Sequence, residues 1–204
     1  MADRELVQTR IAYLDLLDER RLVHEGFELL DEKRVLLAAR ILRGLEQLAA
    51  QRDALKTAWN TVVEALRVAL TDHGLHELAV WPPRATTLNI EERKERVFGV
   101  TILSATASME PGALAWASIG PAPSVDACVD VSRNFLSLGV GVAALEASLM
   151  RLAEEFMRTE RRARAVENVL LPELEADLQT IAAALEALDQ EEVVRVHALR
   201  HPDA

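Results

Sequence analysis

The residues best equipped for chemistry are basic and clustered. Arg161, Arg162 and Arg164 lie within four consecutive positions, Glu167 follows, and Lys33-Arg34 forms a second pair far upstream. Guanidinium and ammonium groups in such runs recognise carboxylates through charge-assisted hydrogen bonds. Other candidates are weaker. Asp72-His73 and His76 supply metal-ligating atoms, but no further ligands stand nearby, and a solvated loop is the better reading. Gly139 and Gly141 lack the third glycine and the preceding strand of a dinucleotide-binding turn, and instead suggest close helix packing. No phosphate-binding loop of the Walker type is present, so the chain itself is expected not to bind ATP. The carboxylates are abundant, but none forms an acid–base pair set apart from the charged surface. Catalytic, cofactor-binding and metal-binding residues are therefore all expected to be none.

Composition limits what can position the basic residues. Half of the 204 residues are hydrophobic, yet aromatics make up only 4%, and Leu, Ala, Glu and Arg dominate. That mixture suits long helices and coiled coils better than a compact globule. The formal charge of −10 argues against a nucleic-acid partner, which needs positive potential along its phosphates. Cys128 is the only cysteine, which excludes an intrachain disulfide and fits a reduced, cytoplasmic setting. The N-terminal Met-Ala-Asp-Arg-Glu has no apolar signal core behind it. No stretch approaches the roughly 20 apolar residues that span a bilayer. The nearest, Phe135 to Met150, contains Glu146, so a soluble chain is expected.

Three parts follow from hydrophobic spacing. In residues 1–70, Val23, Phe27, Leu30, Leu37, Ile41, Leu45, Leu48, Leu55, Trp59, Val62 and Leu66 recur at steps of three or four. Arg34 and Arg52 fill the two gaps of seven. One apolar stripe along a single long helix results, with a run of four-residue steps at Leu37, Ile41 and Leu45 that should locally unwind a supercoil. Residues 124–204 repeat the pattern from Phe135 to Leu188, with four-residue steps again around Val166 to Leu178. Ser124 and Asp126 supply an N-cap signal. Two helices of roughly 65 residues would each reach about 100 Å, and neither stripe is stable in water unless it pairs with the other. Pro172 removes a backbone donor inside the second helix, which makes it a bend or a boundary; the continuing apolar spacing favours a bend.

The middle, residues 71–123, breaks the helical period. Asp72-His73-Gly74 reads as a helix stop, and Trp81-Pro82-Pro83 forbids continuation. Thr86 to Ile90 alternates polar and apolar residues, Val97 to Leu103 is β-branched, and the charged run Glu91 to Arg96 between them suggests a hairpin with a polar connection. Pro111-Gly112 and Gly120-Pro121 frame a short helix or loop around Leu114 and Trp116. Trp59, Trp81 and Trp116 are expected to anchor the junction of helix and insert. The fold class is thus mostly α: a long antiparallel two-helix coiled coil with a small insert containing a β-hairpin.

Several segments resemble the family of D subunits of V-type and A-type ATPases. Thr9-Arg10 followed by Gly26-Phe27-Glu28-Leu29-Leu30-Asp31-Glu32-Lys33-Arg34 is similar to the family's opening. Arg161-Arg162-Ala163-Arg164-Ala165-Val166-Glu167 with Leu171-Pro172 resembles its basic run, and Glu191 to Arg200 its acidic, hydrophobic, then basic ending. Val97-Phe98-Gly99-Val100 looks like its hydrophobic-Gly-Val strand. The resemblance covers nearly the whole chain in the right order. Departures occur at Arg164, where the family usually has Asn, and at Glu160, where a basic residue is common. Val193 and Val194 replace bulky aromatics, and the sequence stops soon after Arg200 without the longer tail of many relatives. These changes bear on contacts with the catalytic head more than on architecture.

The resemblance implies a non-catalytic central stalk, the rotor axle of a rotary V-type ATPase or ATP synthase, cytoplasmic and peripheral to the membrane. Its implied partners are the A and B subunits of the catalytic hexamer, the small F subunit of the stalk at the hairpin, and the socket-forming C/d subunit above the membrane ring. Antiparallel pairing around the insert would set Asp31 to Arg34 level with Ala163 to Glu167. Lys33, Arg34, Arg161, Arg162, Arg164 and Glu167 then become candidate contacts to the hexamer, and Leu88, Ile90, Val97, Phe98 and Val100 candidate contacts to the companion stalk subunit. The same basic residues also fit solvated helix faces paired with Glu32, Glu160 and Glu167 at helical spacing. The rival function is a homodimeric coiled-coil scaffold or adaptor.

Overall fold

The protein is described from a computed structural model covering residues 7–80, 87–110 and 122–200. Expectations placed on Trp81-Pro82-Pro83, Thr86, Pro111-Gly112, Leu114, Trp116 and Gly120-Pro121 lie outside these residues. The element order is α1 (Arg10–His73), α2 (Leu75–Val80), β1 (Thr87–Val97), β2 (Val100–Glu110), α3 (Pro123–Ala165), a π-helical turn (Val166–Leu170) and α4 (Leu171–Arg200). The expected class holds: a long helix, a second helical run, and a two-stranded antiparallel hairpin between them.

Local chemistry sets the boundaries. Thr9 Oγ1 accepts the Ala12 N–H at 3.2 Å and so caps α1. The same helix ends where Gly74 takes a φ of 76° and its N–H donates to Leu70 O at 2.9 Å, the left-handed C-terminal arrangement that glycine makes cheap. The stop read from Asp72-His73-Gly74 is real, although the short α2 follows at once. At the other side of the insert, Ala122 O accepts from Val125 and Asp126, so α3 starts at Pro123, one residue before the Ser124 signal. Proline at the first helical position explains the shift, because its missing N–H would have had no partner there.

The chain divides into two compact units, one from Met1–Leu36 with Phe156–Ala204, the other Leu37–Glu155. In the first unit the helices run antiparallel. Leu16 packs with Leu174, Leu178 and Ile181, flanked by Ala12, Tyr13, Leu17, Val23 and Leu185, and Arg10 meets Asp189 at 2.8 Å. In the second unit α1 and α3 are again antiparallel. Gly44 lies under Leu149, Arg52 Nη2 reaches Glu146 Oε1 at 2.7 Å, and the Trp59 and Phe135 rings are tilted with centroids 5.3 Å apart. The seam differs from the expected α1 stripe at Leu45, Trp59 and Leu66, all of them exposed, and the difference at Leu45 has a visible cause. Leu45 is 49% exposed, and Gly44 takes the inward position; a Cβ there would sit 2.5 Å from Leu149 Cδ2. Close packing therefore occurs at Gly44. Gly141 has open space beside it, and Gly139 makes only an ordinary contact with Leu55.

The second run of four-residue steps has a structural consequence. Four-residue steps drift around a regular helix, and here the drift coincides with Val166–Leu170, where the ladder opens to a π turn and Leu171 N–H donates to Val166 O. Leu174, Leu178 and Ile181 then return to the core. Pro172 lies just beyond the π turn, and the helix continues through it to Arg200. Pro172 therefore does not end the helix.

Two further expectations change. The charged residues Glu91 to Arg96 are not a connection; they lie within β1, and the turn is Phe98-Gly99. Because Glu91 to Arg96 are all exposed, nothing in their environment selects for apolar residues. The helical run Pro123–His197 also contains one window long and apolar enough, by length and composition, to cross a membrane. Within the stretch 135–150, Glu146 is paired with Arg52 and Ser148 is buried against β2, so this face is occupied by the chain's own groups.

Candidate functional site

Two groups of residues emerge, one in each unit. In the first unit, α1 carries Asp31 and Arg34 on the same turn, and α3 carries Glu160 and Arg164 at a spacing that lets side chains of one helix meet. Arg34 Nη1 donates to Glu160 Oε2 at 3.0 Å, and Arg34 also pairs with Asp31. Arg164 donates to the other oxygen of Glu160 at 2.8 Å. One carboxylate thus accepts from two guanidiniums, one of them on the partner helix. The bond to Glu160 raises the Arg34 guanidinium above its ordinary value, partly opposed by desolvation, with Asp31 adding to the rise. The bond from Arg34 likewise holds the Glu160 carboxyl below the usual glutamate value, against desolvation and aided by Arg164.

This clasp sorts the expected hexamer contacts. Arg34 and Arg164 are engaged within the chain. Arg161, Arg162 and Glu167 are exposed, and Arg161 Nε bonds back to Met157 O at 3.3 Å. Lys33 is half-buried. Arg34 meets Glu160 about one turn earlier on α3 than the expected pairing with Ala163 to Glu167. Glu160 and Arg164, the two departures from the family resemblance within the basic run, turn out to be each other's partners. Neither substitution alone signals this; the opposite charges four residues apart do.

In the second unit the expected contact residues lie on the hairpin, which is held by one helix. Its register pairs Thr87 with Glu110 and Val97 with Val100, with no bulge. Side chains from α3 fasten β2. Ser148, 2% exposed, accepts the Leu103 N–H at 2.8 Å, and its hydroxyl lies 2.8 Å from Leu103 O and 2.9 Å from Ala144 O. Ser137 donates to Ala107 O at 3.2 Å, and Arg151 to Thr101 O at 3.3 Å. The outer edge of β2 is thereby satisfied by a helix in place of a third strand. Ser148 escapes sequence reasoning, since a single hydroxyl carries no periodic signal.

The five hairpin candidates do not form one patch. Leu88 and Ile90 share a face at the base, both exposed; Leu88 and Met109 border an apolar groove of about 370 Å³ with Val129 and Leu136 of α3. Val97, Phe98 and Val100 sit at the turn, roughly 25 Å away along the strand at about 3.4 Å per residue. Of these, Val100 is buried in the unit and Phe98 is exposed.

The family pattern described as that of the ATP synthase D subunit matches residues 12–201. The chain belongs to the ATP synthase D-subunit family. It is 33% identical over 202 residues to the D subunit of the V-type ATP synthase of Anaeromyxobacter dehalogenans (strain 2CP-C), covering 95% of this chain and 96% of that one. It is 26% identical over 198 residues to the D subunit of the A-type ATP synthase of Pyrococcus furiosus, covering 94% and 92%. With the D subunit of the V-type ATP synthase of Thermotoga neapolitana the identity is 26% over 195 residues, covering 94% and 95%. Family membership makes this chain one component of a rotary ATPase, an assembly in which it partners other subunits.

Proposed function

We propose that the chain is the central rotor shaft of a V-type ATPase or ATP synthase. In this reading it holds no catalytic site and couples nucleotide turnover in a hexamer of A and B subunits to ion translocation through the membrane. The observation that carries the reading is the intrachain antiparallel pairing of long helices, present in each compact unit, in a member of the D-subunit family. An axle must resist twisting, and cross-helix clasps such as Arg34–Glu160 and Arg52–Glu146 oppose sliding of one helix along the other. It must also turn past its neighbours, which favours dispersed polar contacts over a single adhesive patch. Exposed Arg161, Arg162 and Glu167 suit that role against the hexamer, while the hairpin suits the small F subunit of the stalk. The socket-forming C/d subunit would join the shaft to the membrane ring, keeping the chain at the cytoplasmic face.

The rival homodimeric scaffold needs apolar stripes directed at a second chain. Here the stripes already face one another within one chain. The reading is tested by mixing the chain with purified A and B subunits from the same source and following co-elution. One copy per hexamer supports the shaft, and no association with an intact hexamer removes it.

A further inference from the structure

The base of the hairpin meets α3 over a groove of about 370 Å³, and one charged side chain in it is only partly satisfied. Leu88 of β1, Met109 of β2, and Val129 and Leu136 of α3 form its apolar walls. Arg133, one turn before Leu136, lines the same groove with 22% of its side chain exposed. Its Nη1 donates to Asp130, one turn back, at 2.9 Å. Its Nε and Nη2 are both buried, and neither has a hydrogen-bond partner among the described residues.

A buried donor without a partner costs free energy, and a charged one costs more. The unmet need here has a definite shape. Nε–H and the neighbouring N–H of Nη2 point the same way along one edge of the guanidinium. That edge grips both oxygens of one carboxylate at once. Asp130 takes a different nitrogen and leaves the edge to another group. Neither 81–86 nor 111–121, the segments that adjoin the hairpin's base in sequence, contains an Asp or a Glu. Ser132 also lines the groove, but its hydroxyl donates to Cys128 O at 2.7 Å. A water on the Arg133 edge would meet apolar walls where it needs further polar partners.

We propose that this groove binds a small carboxylate with an aliphatic body. The Nε–Nη2 edge of Arg133 holds the carboxylate, and Leu88, Met109, Val129 and Leu136 hold the body. The size and lining fit a small ligand, whose pockets run from about 300 to 1,000 Å³, mostly apolar with a few placed polar groups. Once bound, the ligand bridges both strands to α3 at the base of the hairpin, whereas Ser148 ties β2 nearer the turn. The site is built from this chain alone and stands apart from the rotor-shaft reading.

Octanoate at neutral pH is the probe, titrated calorimetrically into the full chain below its micelle-forming concentration. Saturable binding at one site is expected. Octanamide, the same body without the charge, should bind about ten-fold more weakly or worse, and acetate should not bind. Arg133→Met should lose octanoate to a similar degree, and Arg133→Lys, which keeps the charge without the fork, should not restore it. Cys128 supplies a readout that needs no variant, because it lines the same groove. Octanoate should slow alkylation of Cys128 in the unaltered chain over the concentrations that saturate the titration. No saturable binding of octanoate would overturn the proposal. So would equal affinity for octanamide, full affinity in a folded Arg133→Met chain, or binding that leaves the alkylation of Cys128 unchanged.

Discussion

Arg34 of α1 donates to Glu160 of α3 at 3.0 Å, joining residues that stand 126 positions apart in the sequence. Each is partly shielded from solvent, and each has a second partner, Asp31 for Arg34 and Arg164 for Glu160. A bond shared this way fixes the register of the helix pair more tightly than an isolated surface ion pair would.

Replacing Glu160 with Gln should lower the melting temperature, and so should Arg34→Met, while the double variant loses less than the two together. The effect is pH-dependent with a definite sign. Glu160 has a folded-state pKa below its unfolded value near 4.5, so its contribution is complete above that pH and disappears as pH falls through the lower folded value. The difference in melting temperature between the unaltered chain and Glu160→Gln should therefore be full at pH 7 and vanish in strong acid. A difference that grows on acidification would contradict the assignment.

Ser148→Ala should destabilise the chain by about 1–2 kcal/mol, since it strips a partly buried main-chain N–H and carbonyl of their partner. Hydrogen exchange is the sharper readout. The Leu103 amide should lose protection in the variant, while amides in the Leu16–Leu174 core keep theirs.

The glycines of α1 should respond in opposite ways. Gly26 has nothing near its missing Cβ, so Gly26→Ala should add about 0.5–1 kcal/mol through helix propensity alone. Gly44→Ala must push Leu149 aside in a buried seam, at a cost of about 1–3 kcal/mol that outweighs the same propensity gain. Thermal melts of the two variants would separate a permissive glycine from a packing one.

These contrasts show what a sequence carries and what it does not. The long helices are legible because apolar steps of three and four recur over many turns, and chance does not sustain such a period. The helix stop at Gly74 is legible because its chemistry is local. Gly44 is not, because glycine reads as a gap in an apolar stripe, and only Leu149 from the facing helix makes it part of the seam. The charged β1 reads as a connection because a strand exposed on both faces has no reason to alternate. Around the clasp, the residues are visible but their partners are not: a register displaced by one turn exchanges Glu160 for Ala163 or Arg164 as the group that meets Arg34. The split of the hairpin candidates between base and turn likewise depends on strand length, which the misplaced connection shortens.

The central claim is that this chain turns inside a catalytic hexamer, and the most direct test is to watch it turn. The hexamer of A and B subunits would be fixed to a surface, with a bead attached to the chain through an introduced cysteine on exposed β1 and Cys128 replaced by Ser. The account predicts stepwise rotation of the bead in one direction when ATP is added, stopping when ATP is withdrawn. A bead that stays bound and still while the hexamer hydrolyses ATP would contradict it.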